Sequence, residues 1–426
     1  MSTLRHLAFL KAEQVREIQG EFGTPTFVYD QLLLERQAQL ALGFPNPFGL
    51  TARYAMKACP SAAVLRILHR QGLHIDASSG FEVHRALRAG IPPEHLLLTA
   101  QELPGDLERL LDLRVGVNAC SLHQLEQLGR LHPGRRVGIR INPGLGSGHS
   151  NRTNVGGPSA SFGIWHTHLD QVLRVQAEYD LHIELLHSHI GSGSDPEVWQ
   201  RCAHLSLEIA AQLPEVTTVN LGGGFKVGRM PGESATDLHR AGAPIAAELE
   251  RFERDCGRAL KLEIEPGTFL VANAGALVCS VADIVDTGEE GYRFIKVDAG
   301  MTEMLRPSMY GAQHPIVVVP PAGISRSQGD FLVVGHCCES GDVLTPEPGN
   351  PEGLLVRTLY EPRVGDVVVI GGTGAYCAGM AAKNYNSFPE ATEVLLAADG
   401  SHHLIRRRQT LDQIVANESI PAFLTD

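Results

Sequence analysis

The sequence is short of the features that mark membrane, metal and nucleic-acid proteins. No run approaches the roughly 18 to 20 consecutive apolar residues that a membrane helix needs. Met1 to Gly20 mixes His, Lys, Glu and Arg with brief apolar stretches and has no signal-peptide core. The eight cysteines are scattered, with Cys337 and Cys338 the one close pair, so they offer neither metal-ligand spacing nor the density of a disulfide scaffold. Positive charge is in the minority: 36 Lys and Arg face 48 Asp and Glu, a formal net charge of −12. Such a surface disfavours phosphate-backbone binding. The expectation is a cytoplasmic chain with no bound metal, no membrane and no nucleic acid among its partners. Internal repeats and low-complexity segments are missing too.

What the chain does have is glycine, 45 residues gathered into loops, and a 43% hydrophobic composition spread over 426 residues. That is enough for a large core and two domains. Between Thr51 and Gly267 one unit recurs: a short apolar run, a loop, then helical spacing. The strand candidates are Ala52-Ala58, His74-Ser78, Leu96-Ala100, Val115-Ala119, Val137-Asn142, Leu185-Ile190, Val219-Gly222 and Leu262-Glu265. Helical patterns such as Ala62-Gln71 and Val198-Leu213 lie between them. Eight strands alternating with helices predict an α/β fold, a (β/α)8 TIM-like barrel over residues 25–277. From about residue 278 to 426 short strands separated by Gly/Pro loops predict a mostly β C-terminal domain, joined by the segment 1–24. The loop Pro346 to Gly353 reads as a surface excursion.

Lys57 ends the first strand, in Ala52-Arg53-Tyr54-Ala55-Met56-Lys57-Ala58. A lysine there, partly desolvated, has a lowered pKa and can act as an amine nucleophile or Schiff-base partner. Equally, its head can reach out to water. Barrel enzymes place their chemistry at the C-terminal strand ends, and here those ends carry a set of polar residues. Strand two runs into Asp76-Ala-Ser-Ser-Gly80, strand six carries His187-Ser-His189-Ile-Gly-Ser192, strand seven enters Gly222-Gly-Gly224, and strand eight holds Glu263-Ile-Glu265-Pro-Gly267. Three glycines let backbone N–H groups approach an anion, and with Ser192 they would cradle a phosphate; alone they are also a tight turn. Glu265 is a carboxylate for the barrel mouth or a structural ion pair, and His189 a flat stacking ring or a core histidine. Together, an amine, a phosphate cradle, a ring and a carboxylate are what pyridoxal phosphate requires.

With these residues in hand the chain resembles the barrel-type (fold type III) pyridoxal-phosphate decarboxylases, in particular the diaminopimelate decarboxylases. The likeness runs from Thr24-Pro-Thr-Phe-Val-Tyr29 to His403-Leu-Ile-Arg-Arg-Arg-Gln-Thr410. It rests on Tyr54-Ala-Met-Lys-Ala58, Gly146-Ser-Gly-His-Ser150 through Phe162-Gly-Ile-Trp165, His189-Ile-Gly-Ser192, Gly222-Gly-Gly224, Glu265-Pro-Gly267, Val297-Asp-Ala-Gly-Met301, Arg306-Pro-Ser-Met-Tyr310, Cys338-Glu-Ser-Gly-Asp342 and Gly374-Ala-Tyr376. The resemblance implies an alanine racemase-like arrangement of domains and decarboxylation of meso-2,6-diaminopimelate to L-lysine and CO2.

It also implies roles. Lys57 carries the cofactor, His189 stacks on its ring, and Asp76 and Gly267 line it. Ser192 and Gly222, Gly223 and Gly224 hold the phosphate, and Glu265 the ring nitrogen. Arg306 and Tyr310 bind substrate, Tyr376 touches cofactor and substrate, Cys338 donates a proton and Glu339 reads the substrate. Cys338 and Glu339 would come from the partner subunit of a homodimer.

Three positions depart from the family pattern. Thr268 stands where an arginine follows Glu-Pro-Gly, with Arg152 a candidate substitute. Phe388 replaces a frequent arginine, and His336-Cys337 replaces a Pro-containing lead into Cys338. The departures leave open a decarboxylase for ornithine, lysine or a biosynthetic conjugate. A racemase would need a second base opposite the lysine, and a non-catalytic cofactor-binding relative would have no use for an intact Lys57, Cys338 and Glu339.

Overall fold

A computed structural model describes residues 7–145, 155–189, 191 and 196–424. Ser192 and the whole stretch 146–154, with Arg152 in it, lie outside the described residues. By its internal contacts the chain divides into two compact units. One comprises Leu34–Gly228 and Ser234–Val271; the other takes the N-terminal segment to Leu33, Arg229–Glu233, and the chain from Ala272 onward.

The first unit is the barrel. Its eight strands are Leu50–Ala55, His74–Ala77, Leu96–Leu98, Gly116–Ala119, Arg136–Asn142, His182–His187, Thr218–Asn220 and Lys261–Ile264. Every neighbouring pair is parallel, and Lys261–Ile264 pairs with both Leu50–Ala55 and Thr218–Asn220, so the sheet closes on itself. Each of the eight runs picked from sequence overlaps one of these strands. Apolar side chains such as Ile75, Leu98, Ile139 and Ile264 are fully buried, on the strand faces opposite Asp76, Thr99, Arg140 and Glu265. The helices follow from spacing and caps. Ala62–Arg70 buries Val64, Leu65, Ile67 and Leu68 on one side. Ser79, Ser121 and Asp237 open helices by accepting the N–H of Glu82, Gln124 and Arg240. The Glu82 carboxylate also accepts from the N–H of Ser78, the residue before the cap, at 2.7 Å.

The second unit is a nine-stranded sheet. Its centre is Gly275–Asp286, which pairs antiparallel with Thr26–Asp30, Arg293–Val297 and Val367–Gly371. Val28, Val278, Val317, Val369 and Leu396 form its core, together with Val15 and Ile18 of the helix Ala12–Phe22.

Three expectations change here. Thr26–Asp30, inside the barrel by the boundary at residue 25, joins the β sheet instead, parallel to Thr392–Leu396. Every one of its residues but Asp30 is buried, which an edge position would not allow. The excursion Pro346 to Gly353 is ordered: Pro346–Glu347 pairs antiparallel with Asn350–Leu354. Lys57, read as a partly desolvated strand residue, is exposed on a 3-10 turn, Met56–Ala58. The strand stops at Ala55, whose N–H turns to Pro266 O at 3.3 Å. Among the described residues no helix is long and apolar enough to cross a membrane, and no cluster of His, Cys, Asp and Glu could hold a metal.

Candidate active site

Alternation along a strand puts residues two apart on one face, so Glu263 and Glu265 share a side of the eighth strand and its exit. Each is tied into a buried network. Arg53 grips Glu263 with two parallel bonds, Nε to Oε2 at 2.8 Å and Nη2 to Oε1 at 2.7 Å. Asn220 on the seventh strand bridges the two carboxylates, its Nδ2 donating to Glu263 Oε2 at 3.1 Å and Glu265 Oε1 at 2.7 Å. The other oxygen of Glu265 accepts from His187 Nε2 at 3.1 Å.

These contacts set the charge on Glu265. Burial works to raise its pKa, but His187, His189 and the Lys57 ammonium outweigh burial and bring it down to about 2. Asp76, fully enclosed, goes the other way: burial first, then the charge on Glu265, push it well above the usual carboxylate range. Asp76 is thereby biased toward its protonated form and Glu265 toward its ionised form. His189 is held well below the usual histidine range by burial, then by Arg140 and Lys57, so its ring is neutral. Its Nδ1 is buried with no hydrogen-bond partner. Lys57 contributes to the electrostatics of Asp76, Glu82, His189 and Glu265 alike, which places its ammonium among them.

The glycine turn is packed tightly against this group. Gly222 has φ +70°, and a Cβ there would lie 2.5 Å from His189 Nδ1. A Cβ on Gly223 would meet Glu265 O at 2.3 Å, and one on Gly224 would meet Gly191 O at 2.2 Å. Of the three glycines expected to offer backbone N–H groups to an anion, Gly222 donates its own to Asn220 Oδ1 at 2.8 Å. Among the described residues those of Gly223 and Gly224 have no acceptor. Gly267 is buried against Ala55 and Ala58, and Thr268 begins the short helix Thr268–Val271.

The remaining candidates belong to the β unit. Arg306 and Tyr310 are half-buried on the helix Leu305–Tyr310. Tyr376 is half-buried in a left-handed conformation, φ +56°, a strained choice for a tyrosine. Cys338 and Glu339 are exposed on the turn before Asp342, with Cys338 N donating to Asn386 Oδ1 at 2.8 Å. Two departures from the family pattern prove to be one packing unit: His336 and Phe388 stack with ring centres 3.6 Å apart and planes within 5°.

The pyridoxal-binding domain of the pyridoxal-dependent decarboxylases matches residues 33–272. Diaminopimelate decarboxylase of Escherichia coli strain K12 is 39% identical over 418 residues, covering 96% of this chain and 97% of that protein. The Streptomyces coelicolor enzyme of the same name is 38% identical, over 94% and 91%. A solved diaminopimelate decarboxylase superposes with a TM-score of 0.89 at 37% identity, covering 97% of this chain and 98% of that one. The Helicobacter pylori diaminopimelate decarboxylase, solved with L-lysine, gives 0.83 at 27% identity, over 94% and 98%. The chain belongs to the diaminopimelate decarboxylases.

Pyridoxal phosphate is the cofactor of this family, and the barrel residues suit it. An ionised carboxylate is what a protonated pyridine nitrogen needs, and a neutral half-buried imidazole suits the face of a ring. Two backbone N–H groups without acceptors suit a phosphate. Asn220 went unread in the sequence, although its strand-end position was visible. His187 was seen next to His189 but given no role; the spacing of two that puts Glu263 beside Glu265 also puts His187 beside His189, and that was the available signal.

Proposed function

We propose that this chain decarboxylates meso-2,6-diaminopimelate to L-lysine and CO2, the last step of lysine biosynthesis, in the cytoplasm. The observation that carries the reading is the ionised Glu265, anchored on one side by His187 and on the other by Asn220. When bound, pyridoxal phosphate supplies the sink for the electron pair released as the carboxylate leaves the α-carbon. Lys57 would hold the cofactor through its amine, and Glu265 would keep the ring nitrogen protonated. His189, Asp76 and Gly267 would line the cofactor.

The N–H groups of Gly223 and Gly224, with Gly222 shaping the turn, would hold the phosphate, and the family resemblance adds Ser192. Arg306, Tyr310 and Tyr376 bind the substrate, the arginine through a carboxylate that matches its fork. The Cys338 thiol returns a proton to the α-carbon, and Glu339 reads the distal ammonium. An exposed Cys338-Glu339 turn suits delivery to a second copy, so we infer a homodimer with shared sites. Mixed Lys57→Ala and Cys338→Ala subunits would then regain activity that neither has alone. Mixtures that stay inactive would speak against sharing.

Product analysis with and without added pyridoxal phosphate tests the reaction. Equimolar CO2 and L-lysine from meso-diaminopimelate, dependent on the cofactor, is expected. The second reading, a decarboxylase for ornithine, lysine or a conjugate, draws on Thr268, which brings a hydroxyl but no charge. Turnover of one of those substrates with diaminopimelate inert would favour it.

A further inference from the structure

Arg229 follows the glycine turn in sequence but groups with the β unit. Its Nε donates to Gly372 O at 3.0 Å. Its stem fits only because residue 372 is glycine: a Cβ there would meet Arg229 Cγ and Cδ at 3.0 Å. The guanidinium is thus held in place while its Nη2 is buried with no hydrogen-bond partner. Arg306 lies near enough that, after burial, it is the main influence lowering Arg229 to about 9. Arg306 Nε is likewise buried without a partner.

His314 is part of the same cluster. It is buried, its Nδ1 donates to Gly371 O at 3.0 Å, and its Nε2 has no partner. Burial and then the two arginines keep His314 neutral, so the cluster carries two positive charges. Tyr376, Cys377 and Glu233 also face Arg229. Glu233 is occupied by backbone, accepting from Arg229 N at 2.8 Å and Met230 N at 3.0 Å. Among the described residues no carboxylate forms an ion pair with either guanidinium.

Two adjacent cations with buried, unused donors and no counter-charge are costly unless an anion joins them. Guanidinium forks match a carboxylate best. We infer that Arg229 and Arg306 together bind the carboxylate of the substrate that the reaction leaves intact. This rests on the reaction proposed above.

L-Lysine keeps that carboxylate and cadaverine has none, so the two ligands separate the contribution. In the holoenzyme, Arg229→Gln is expected to raise the KM for meso-diaminopimelate and the calorimetric Kd for L-lysine by roughly 10- to 100-fold. The Kd for cadaverine and the cofactor Kd stay unchanged, and Arg229→Lys recovers part of the loss. An unchanged L-lysine Kd, equal weakening of both ligands, or loss of cofactor affinity instead would overturn the inference. If Arg229→Gln does not fold, Arg229→Lys carries the test, because it keeps the charge but loses the fork: weaker L-lysine binding with cadaverine unaffected supports the site, and unchanged L-lysine binding overturns it. A wild-type enzyme inert toward meso-diaminopimelate but binding L-lysine through Arg229 would sink the reaction and leave the carboxylate site standing. An active wild type whose lysine affinity ignores Arg229 would do the reverse.

Discussion

Replacing Gly222 with alanine adds one methyl group at the point where backbone and His189 ring are pressed together. Two costs follow, and they can be separated. The backbone is left-handed there, φ +70°, which costs an L-residue about 1 to 2 kcal/mol. The new Cβ would also lie 2.5, 2.7 and 2.8 Å from His189 Nδ1, Cγ and Cβ. Restoring ordinary contact means moving the ring by roughly 1 Å, an overpacking cost of about 1 to 3 kcal/mol. Gly257→Ala is the control: φ is +67° at the end of the helix Leu238–Cys256, and nothing lies within 4 Å of its Cβ. That variant loses about 1 to 2 kcal/mol, the backbone term alone, and Gly222→Ala about 2 to 5 kcal/mol, the sum of its two terms. Urea unfolding of the holoenzyme, with cofactor affinity from an absorbance titration, reads both effects. The displaced His189 weakens cofactor binding in Gly222→Ala and not in Gly257→Ala. Equal losses of stability with equal cofactor affinities would refute the reasoning, because the collision would then have no consequence.

Three further outcomes are expected. Lys57→Ala abolishes both the visible absorbance of bound cofactor and CO2 release, and a variant keeping both would end its assignment. Glu265→Ala lowers kcat by roughly 100-fold or more while KM changes only a few-fold; matching losses of cofactor occupancy and rate would make the carboxylate mainly structural. Burial raises Glu303 to about 7 against Thr302 and Gly300 hydrogen bonds that act to lower it. A folded state that binds the proton more tightly than the unfolded one loses stability as pH rises from about 4.5 to about 7, on the order of 3 kcal/mol. Glu303→Gln should therefore gain stability above pH 7, gain none below pH 4.5, and show a flatter pH profile; an unaltered slope in pH-dependent melting would contradict this.

The barrel was legible because each strand is a short apolar run bounded by loop chemistry, a purely local signal. Thr26–Asp30 was harder. Its neighbours in the sheet begin at Gly275 and Thr392, and no local pattern in Thr-Phe-Val-Tyr-Asp says which sheet it joins. The hairpin at Pro346–Leu354 hides behind Pro and Gly, which read as loop. Lys57 was misjudged for exposure because Ala55-Met56-Lys57-Ala58 continues an apolar strand on paper, whereas the backbone turns after Ala55. Polar residues at the strand ends could be picked out one by one. What could not be seen was their pairing: that Asn220 joins Glu263 to Glu265, or that His336 stacks on Phe388, depends on positions far apart in the chain. Arg229 sits in no motif at all, and its isolation from carboxylates emerges only from the folded chain.

The placement of Thr26–Asp30 between Gly275–Asp286 and Thr392–Leu396 also orders events during synthesis. The barrel is an uninterrupted insertion, apart from Arg229–Glu233, within a β sheet whose first strand is made early and one of whose neighbours, Thr392–Leu396, is made near the end. At about 5 to 20 residues per second, the early strand waits roughly 20 to 70 seconds for Thr392–Leu396 to leave the ribosome. The barrel meanwhile has every one of its strands available. Phe27, Val28 and Tyr29 therefore leave the ribosome long before either strand that pairs with them.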